Sequence, residues 1–309
     1  MSKGVLLIVL SMGLIGASIP IGESMMMTFP VWLFTCVTVT IAAVILIPIA
    51  TISEKTKWTK LGFKNYYGMF MQALLTASLY TVFLLYGLTH ADAISVGIIS
   101  SITPAVVFIL SLILLKEKLT LKKVLSILLA VAAVLLMNIV GVSADGSTSV
   151  IGITFMLLAV LSISLFFIYA KKFSVELPPI TIAAGLTFFG ALQTLPMALI
   201  ELSSFDMSLF ASVSNWGGII IYSLLGWVLA YSTTFLAMPK IDASTAGMAN
   251  AVMPIVASAV AILFYGASIR AVEIIALILV VISILIAESR DKKTIDEVEP
   301  QDYYKQPSV

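Results

Sequence analysis

The sequence predicts an all-α membrane protein, ten transmembrane helices arranged as two inverted five-helix repeats. Three observations predict it: long apolar stretches, lysines gathered on one side of the implied membrane, and a chain that repeats itself about halfway along. Of the 309 residues, 61% are hydrophobic and 11% charged, where a soluble domain has roughly 45–50% and 25%. The mean hydropathy is +1.13. Apolar stretches of about 18–25 residues separate the charge clusters, and each can cross a hydrocarbon core of roughly 30 Å as a helix. Backbone groups in lipid must pair within their own segment, which makes the spans helical. The apolar/polar alternation of a transmembrane barrel is missing.

In chain order the spans are expected at 4–25, 30–50, 66–88, 93–115, 122–142, 150–170, 179–201, 215–238, 244–265 and 270–287. The first follows Lys3 as a signal peptide would. It exceeds a signal peptide's apolar region of roughly 7–15 residues and has no convincing small-residue cleavage site before Pro20, so it reads as a span. The second opens at Pro30, the fourth holds Pro104 about midway, the seventh opens after Pro178, and the ninth holds Pro254. The segment 288–309 is polar, carries Pro300 and Pro307, and lacks the apolar residues to fold alone. The organisation expected is a first repeat over 1–142, a second over 143–287, and a disordered cytoplasmic tail.

Orientation follows the lysines. With the N-terminus in the cytoplasm, the inner segments hold every basic residue except Arg270. A wrong span count would scatter these charges, so their segregation checks the count as well. A multi-pass protein of the inner, cytoplasmic membrane with both termini inside is expected.

Sliding the chain along itself exposes the repeat. Asp92-Ala93 meets Asp242-Ala243, Gly97 meets Gly247, Pro104 meets Pro254, and Pro30 and Pro48 meet Pro178 and Pro196 at nearly the same offset. Five spans per copy is odd, so the second copy enters from the opposite side, as in many secondary transporters.

These residues resemble the drug/metabolite transporter superfamily, specifically its ten-helix EamA-type exporters. The resemblance is carried by the run from Asp92 through Gly97 to Pro104, by Lys116-Glu117-Lys118-Leu119, by the run from Asp242 through Gly247 to Pro254, and by Pro30 after a first span containing Gly13, Gly16 and Gly22. It covers about residues 4–287. It implies two five-helix bundles around a central cavity, lined by the first, third, fourth, sixth, eighth and ninth spans. Members of that family often carry a Lys near the end of the first span and an Arg in the second. Here Glu23 takes the first position and the second span has no basic residue, while the mate of Glu117 in the second half is Ala267. An anionic substrate is therefore disfavoured.

The candidate substrate-binding residues are Glu23, Gln72, Thr76, Tyr80, Tyr169, Trp227, Tyr231 and Asn250, with Pro20, Pro104 and Pro254 as hinges. Glu23 follows Pro20, where the helix is expected to kink or unwind. A carboxylate inside a span faces a wet cavity or the interface, and both readings stand for Glu23. Gln72, Thr76 and Tyr80 share one helical face, as do Ser223, Trp227, Tyr231 and Thr234. Such stripes line a cavity or serve as interhelical glue. Asn250 stands four before Pro254, where a carbonyl loses its helical donor. Asp92 and Asp242 are expected to cap helix N-termini. Glu117 among its lysines reads as a surface ion cluster.

Elimination narrows the function, and the inverted repeat with the EamA-type resemblance implies the rest. There is no GxxxxGK[ST] phosphate loop, so the chain does not itself hydrolyse ATP. One histidine, His90 in a loop, leaves no catalytic pair, and no catalytic residue, metal or cofactor is expected. No basic stripe suits nucleic acid. The leading expectation is a secondary transporter exporting a small organic metabolite, amino-acid-like or amphipathic, by alternating access, with the lipid bilayer and protons as further partners. An intramembrane enzyme or a non-transporting sensor is the alternative.

Overall fold

A computed structural model describes residues 2–91, 93–139, 149–174, 176–265 and 271–288, and every regular element among them is helical. Ten helices are numbered in chain order. In the first half they are α1 (Lys3–Met26), α2 (Val31–Ser53), α3 (Phe63–Ala73, Leu74–Tyr80 and Thr81–His90), α4 (Ala93–Ser101 and Thr103–Leu114) and α5 (Leu121–Ile139). In the second half they are α6 (Val150–Phe173), α7 (Pro179–Leu202), α8 (Val213–Tyr222, Ser223–Leu229 and Ala230–Ala237), α9 (Ala243–Ala249 and Val252–Tyr265) and α10 (Ala271–Glu288). Among the described residues, seven helices are long and apolar enough to cross a membrane: α1, α2, α3, α6, α7, α8 and α9. Thr103–Leu114 and Ile274–Ala287 are shorter apolar helices.

Corresponding helices start alike. Ser2 caps α1 by accepting from Val5 N, and Ser149 caps α6 by accepting from Gly152 N. Pro30 and Pro178, with φ near the value the ring imposes, precede α2 and α7. Packing obeys the same exchange. α2 lies against α7 and α5 against α10, while α1 packs on α8 and α9 just as α6 packs on α3 and α4. Swapping the halves leaves this pattern unchanged, which is the signature of a pseudo-two-fold axis.

The two ends of the bundle differ in chemistry. At one end Lys64 pairs with Glu176 at 2.7 Å, Lys123 pairs with Asp242 at 2.7 Å, and Gly4 lies against Lys240 and Ile241. At the other, the backbone N–H and hydroxyl of Ser149 both donate to the His90 carbonyl at 3.0 Å. α1 therefore begins at the lysine-rich end and α6 at the opposite end, so the repeats are inverted.

The interior is packed with Ile8, Leu46, Met69, Phe167, Leu186 and Phe235, while Leu10, Val44, Leu128, Ile200 and Phe264 point outward. Outward aliphatics are what lipid requires. The buried polar side chains among the described residues are Ser, Thr and Gln, with no Asp, Glu, Lys or Arg among them. Ser and Thr return their hydroxyls to carbonyls, often one turn back, as Thr187 does to Ala183 O and Ser223 to Ile219 O.

Candidate site between two widened helices

The middle of α3 and the middle of α8 are both π-helical, over Leu74–Tyr80 and Ser223–Leu229. The two segments correspond under the repeat, Leu74 with Ser223 and Tyr80 with Leu229. A π-turn inserts a residue and strands a carbonyl, a cost tolerated mostly at functional positions. A neighbour repairs part of it here, since Ser162 of α6 donates to Leu75 O at 2.9 Å. The insertion also shifts the face presented beyond it. In α8 the π segment lies between Tyr222 and Tyr231 and turns Tyr222 part of the way toward the Tyr231 side, where an unbroken helix would set the two on opposite faces.

Thr76, Tyr80, Tyr222 and Tyr231 gather between these segments. The Tyr231 hydroxyl lies beside Thr76 and within electrostatic range of the Tyr80 and Tyr222 hydroxyls. Tyr80 and Tyr222 are half-buried, and the Tyr222 ring also packs on Phe34 of α2, with centroids 4.9 Å apart. Trp227 stacks on Tyr231, with ring centroids 5.2 Å apart and planes 13° apart. Phe166 of α6 meets the edge of Tyr231 at 5.8 Å.

Two atoms here are unpaired. Gln72 is wholly buried, and its amide N–H donates to Gly68 O at 3.1 Å, but its Oε1 has no partner. The indole Nε1–H of Trp227 is likewise buried and unpartnered. These are the two such side-chain atoms among the described residues. Leaving a buried polar group unmatched costs roughly 1–3 kcal/mol, so each asks for an explanation.

Prolines break the two central helices at related places. In α4 the helix is interrupted at Ile102, and Thr103 Oγ1 donates to Ser100 O at 2.7 Å, replacing the N–H that Pro104 lacks. In α9 the break lies at Asn250–Ala251. There Met253 N donates to Asn250 O at 3.1 Å, a shortened turn that occupies the carbonyl Pro254 would otherwise leave bare. α1 runs against this break. A Cβ on Gly16 would stand 2.5 Å from Met253 O, so only glycine allows the approach.

Set against expectation, the structure brings Thr76, Tyr80, Trp227 and Tyr231 together, places Gln72 one turn from Thr76, and puts Asn250 at a helix break. Tyr169 stacks instead on Phe173, centroids 6.1 Å apart, and Phe166 is the α6 ring that meets Tyr231. α1 does not unwind at Pro20 but continues to Met26, and Glu23 is exposed near that end. Ser223 and Thr234 are glue, bonded to Ile219 O and to Ser11. Asp242 occupies a capping position, but its carboxylate makes no cap and binds Lys123. Asp92, Ala267, Arg270 and the segment beyond 288 lie outside the described residues.

Comparison with known proteins accounts for the arrangement. The chain matches the EamA-like transporter family twice, over residues 2–139 and 150–288. It belongs to that family. An "Uncharacterized transporter YetK" from Bacillus subtilis (strain 168) is 32% identical over 247 residues, 79% of this chain and 74% of that one. An uncharacterized transporter from Archaeoglobus fulgidus is 24% identical over 217 residues, 70% and 72% of the two chains. A crystal structure of a protein with 18% identity superimposes with a TM-score of 0.77, covering 93% of this chain and 97% of its own, and supports the fold. Within this EamA-like chain the carboxylates at helix ends have structural partners that sequence spacing did not reveal. Glu54, at the end of α2, accepts from Ile180 N and Thr181 N of α7, and Glu201, at the end of α7, accepts from Leu33 N of α2. Each helix of the α2–α7 pair caps the other.

Proposed function

We propose that this protein is a secondary transporter of the cytoplasmic membrane, moving a small neutral or zwitterionic organic solute by alternating access, with its lysine-rich end in the cytoplasm. Family membership makes it a membrane transporter of small substrates. The observation that carries the finer reading is the pair of orphaned groups, the Gln72 Oε1 acceptor and the Trp227 N–H donor, beside a stacked Trp227–Tyr231 surface and a group of tyrosine hydroxyls. A solute carrying both an N–H or O–H donor and a carbonyl-type acceptor would satisfy both while it is bound. None of the buried polar side chains around these groups is charged, which argues against a substrate with a large net charge, because nothing there would offset its desolvation. The proline breaks of α4 and α9 supply the flexure that alternating access requires. Glu23, exposed at the end away from the lysines, is positioned to meet a proton or a substrate amine before entry to the interior.

The experiment compares Gln72→Leu and Trp227→Phe with the native chain. Each removes an orphaned atom, and Trp227→Phe also shrinks the ring, so the melting temperature should hold for Gln72→Leu and fall for Trp227→Phe, while uptake of amino acids, nucleobases or neutral amphiphiles into proteoliposomes should fall at least tenfold for both. Loss of stability together with unchanged transport would show that these atoms serve packing, and the site would lie elsewhere.

A further inference from the structure

The two ends of the molecule are built from the same repeat but are fastened differently. At the lysine-rich end, Glu117 reaches out of the α4–α5 linker in the first half and binds the start of α9 in the second. Its Oε1 accepts from Ala243 N at 2.7 Å and Ser244 N at 3.4 Å, and its Oε2 accepts from Ser244 Oγ at 2.5 Å. Lys123, at the start of α5, bridges Glu117 Oε2 at 3.1 Å and Asp242 Oδ2 at 2.7 Å. The side chains of Glu117 and Lys123 are 9% and 15% exposed, which protects the pair from screening. Three side chains thus tie one half to the other across a short gap.

The tie spans two hinged pieces. Thr103–Leu114 lies on the lysine-rich side of the α4 break, and Ala243–Ala249 lies on the same side of the α9 break. They cross in contact, for a Cβ on Gly247 would fall 2.7 Å from Val107 Cβ. The repeat assigns the opposite end its own counterpart set: Ala267 for Glu117, Glu273 for Lys123, Ile94 for Ser244, and Asp92 for Asp242. In sequence that set puts Ala267 where Glu117 caps and two carboxylates where the other end has a salt bridge, with Arg270 three residues from both Ala267 and Glu273.

We propose that Glu117, Lys123 and Asp242 form a latch that holds the lysine-rich end closed, and that the lack of a matching set opposite makes closure of this end the resting state. A transporter built from identical halves would have no preferred side; the latch supplies the preference. Opening the lysine-rich end takes Glu117 from two backbone N–H groups and Asp242 from Lys123 at once. The inference rests on the alternating-access reading, but it concerns the empty protein and needs no substrate to test.

The test is a distance distribution by pulsed electron paramagnetic resonance. Spin labels are placed at Leu119→Cys and Lys240→Cys, two exposed positions flanking the latch on opposite halves, in a Cys36→Ala background reconstituted in lipid. The native latch should give one short population. Glu117→Ala should add a longer one, raising the open fraction about tenfold, as loss of one charge-assisted bond of ~1.4 kcal/mol implies. Lys123→Gln, which leaves the Glu117 bonds to α9 in place, should do the same to a smaller extent. Should Glu117→Ala fail to fold, Lys123→Gln decides the question alone. A monodisperse Glu117→Ala protein that melts lower with an unchanged distribution would make Glu117 a helix cap and nothing more, and the latch would be refuted even if the transport proposal stands.

Discussion

Glu54→Ala should destabilise the protein about twice as much as Glu201→Ala, although the two carboxylates hold equivalent places. Both cap the N-terminus of the helix packed antiparallel to their own, where unsatisfied N–H groups and the helix dipole favour a negative charge. Glu54 accepts from Ile180 N at 3.0 Å, Thr181 N at 2.7 Å and Thr181 Oγ1 at 2.8 Å. Glu201 accepts from Leu33 N at 2.8 Å. A hydrogen bond to a charged group contributes roughly 1.5–3 kcal/mol, with the lower figure suited to half-buried sites and bonds sharing one group adding incompletely. That gives ~3 kcal/mol for Glu54 and ~1.5 kcal/mol for Glu201. In a chain of this length each kcal/mol lowers the melting midpoint by about 2 °C, so the shifts should be about 6 °C and about 3 °C. Heating in detergent at one scan rate, followed by tryptophan fluorescence, measures both, and a single rate is needed because such unfolding is seldom reversible. Glu54→Gln, which retains one acceptor oxygen, should fall between. Equal shifts, or the reverse order, would show that bond count does not set the strength of these caps.

Gly16→Ala should lower the melting midpoint by at least about 4 °C, since the added carbon meets the Met253 backbone and cannot be accommodated by a rotamer change. Gly62→Ala, where a Cβ meets nothing, is the control and should shift it by under about 1 °C. Glu23→Gln keeps the size of an exposed side chain and removes its charge, so it should weaken a cationic solute while expression holds; an unchanged affinity would make Glu23 an interfacial residue. In a Cys36→Ser background, an impermeant thiol reagent applied outside cells should label Asp206→Cys and spare Lys60→Cys and Lys118→Cys, and labelling of either lysine position would overturn the proposed topology.

The repeat was visible in the sequence as matching prolines, and the structure extends it to features no residue pattern announced. The π-helical segments of α3 and α8 correspond residue for residue, yet Leu74–Tyr80 and Ser223–Leu229 share no obvious composition. Their effect explains a missed site residue. A helix of constant pitch puts Ser223, Trp227 and Tyr231 on one stripe and turns Tyr222 away, whereas the π-helical segment between them rotates Tyr222 part of the way back, within electrostatic range of the Tyr231 hydroxyl. Ser223 then bonds its own helix. The same loss of local information governs the carboxylates. Asp242 stands where a capping residue should stand, but Glu117 arrives from the other half and takes its N–H groups, leaving Asp242 to Lys123.

What the sequence alone determined is what depends on each segment by itself. Transfer into lipid is summed along a stretch, and basic residues are sorted by side as they flank it, so span positions, the inverted repeat and the lysine-rich end could be read before any contact was known. The tertiary structure decided everything that needs a partner: which carboxylate caps which helix, which hydroxyls meet, and which two buried polar atoms are left with none. Those outcomes depend on approaches of a few ångströms between residues more than a hundred positions apart, and in an apolar chain many such pairings look alike until the helices pack.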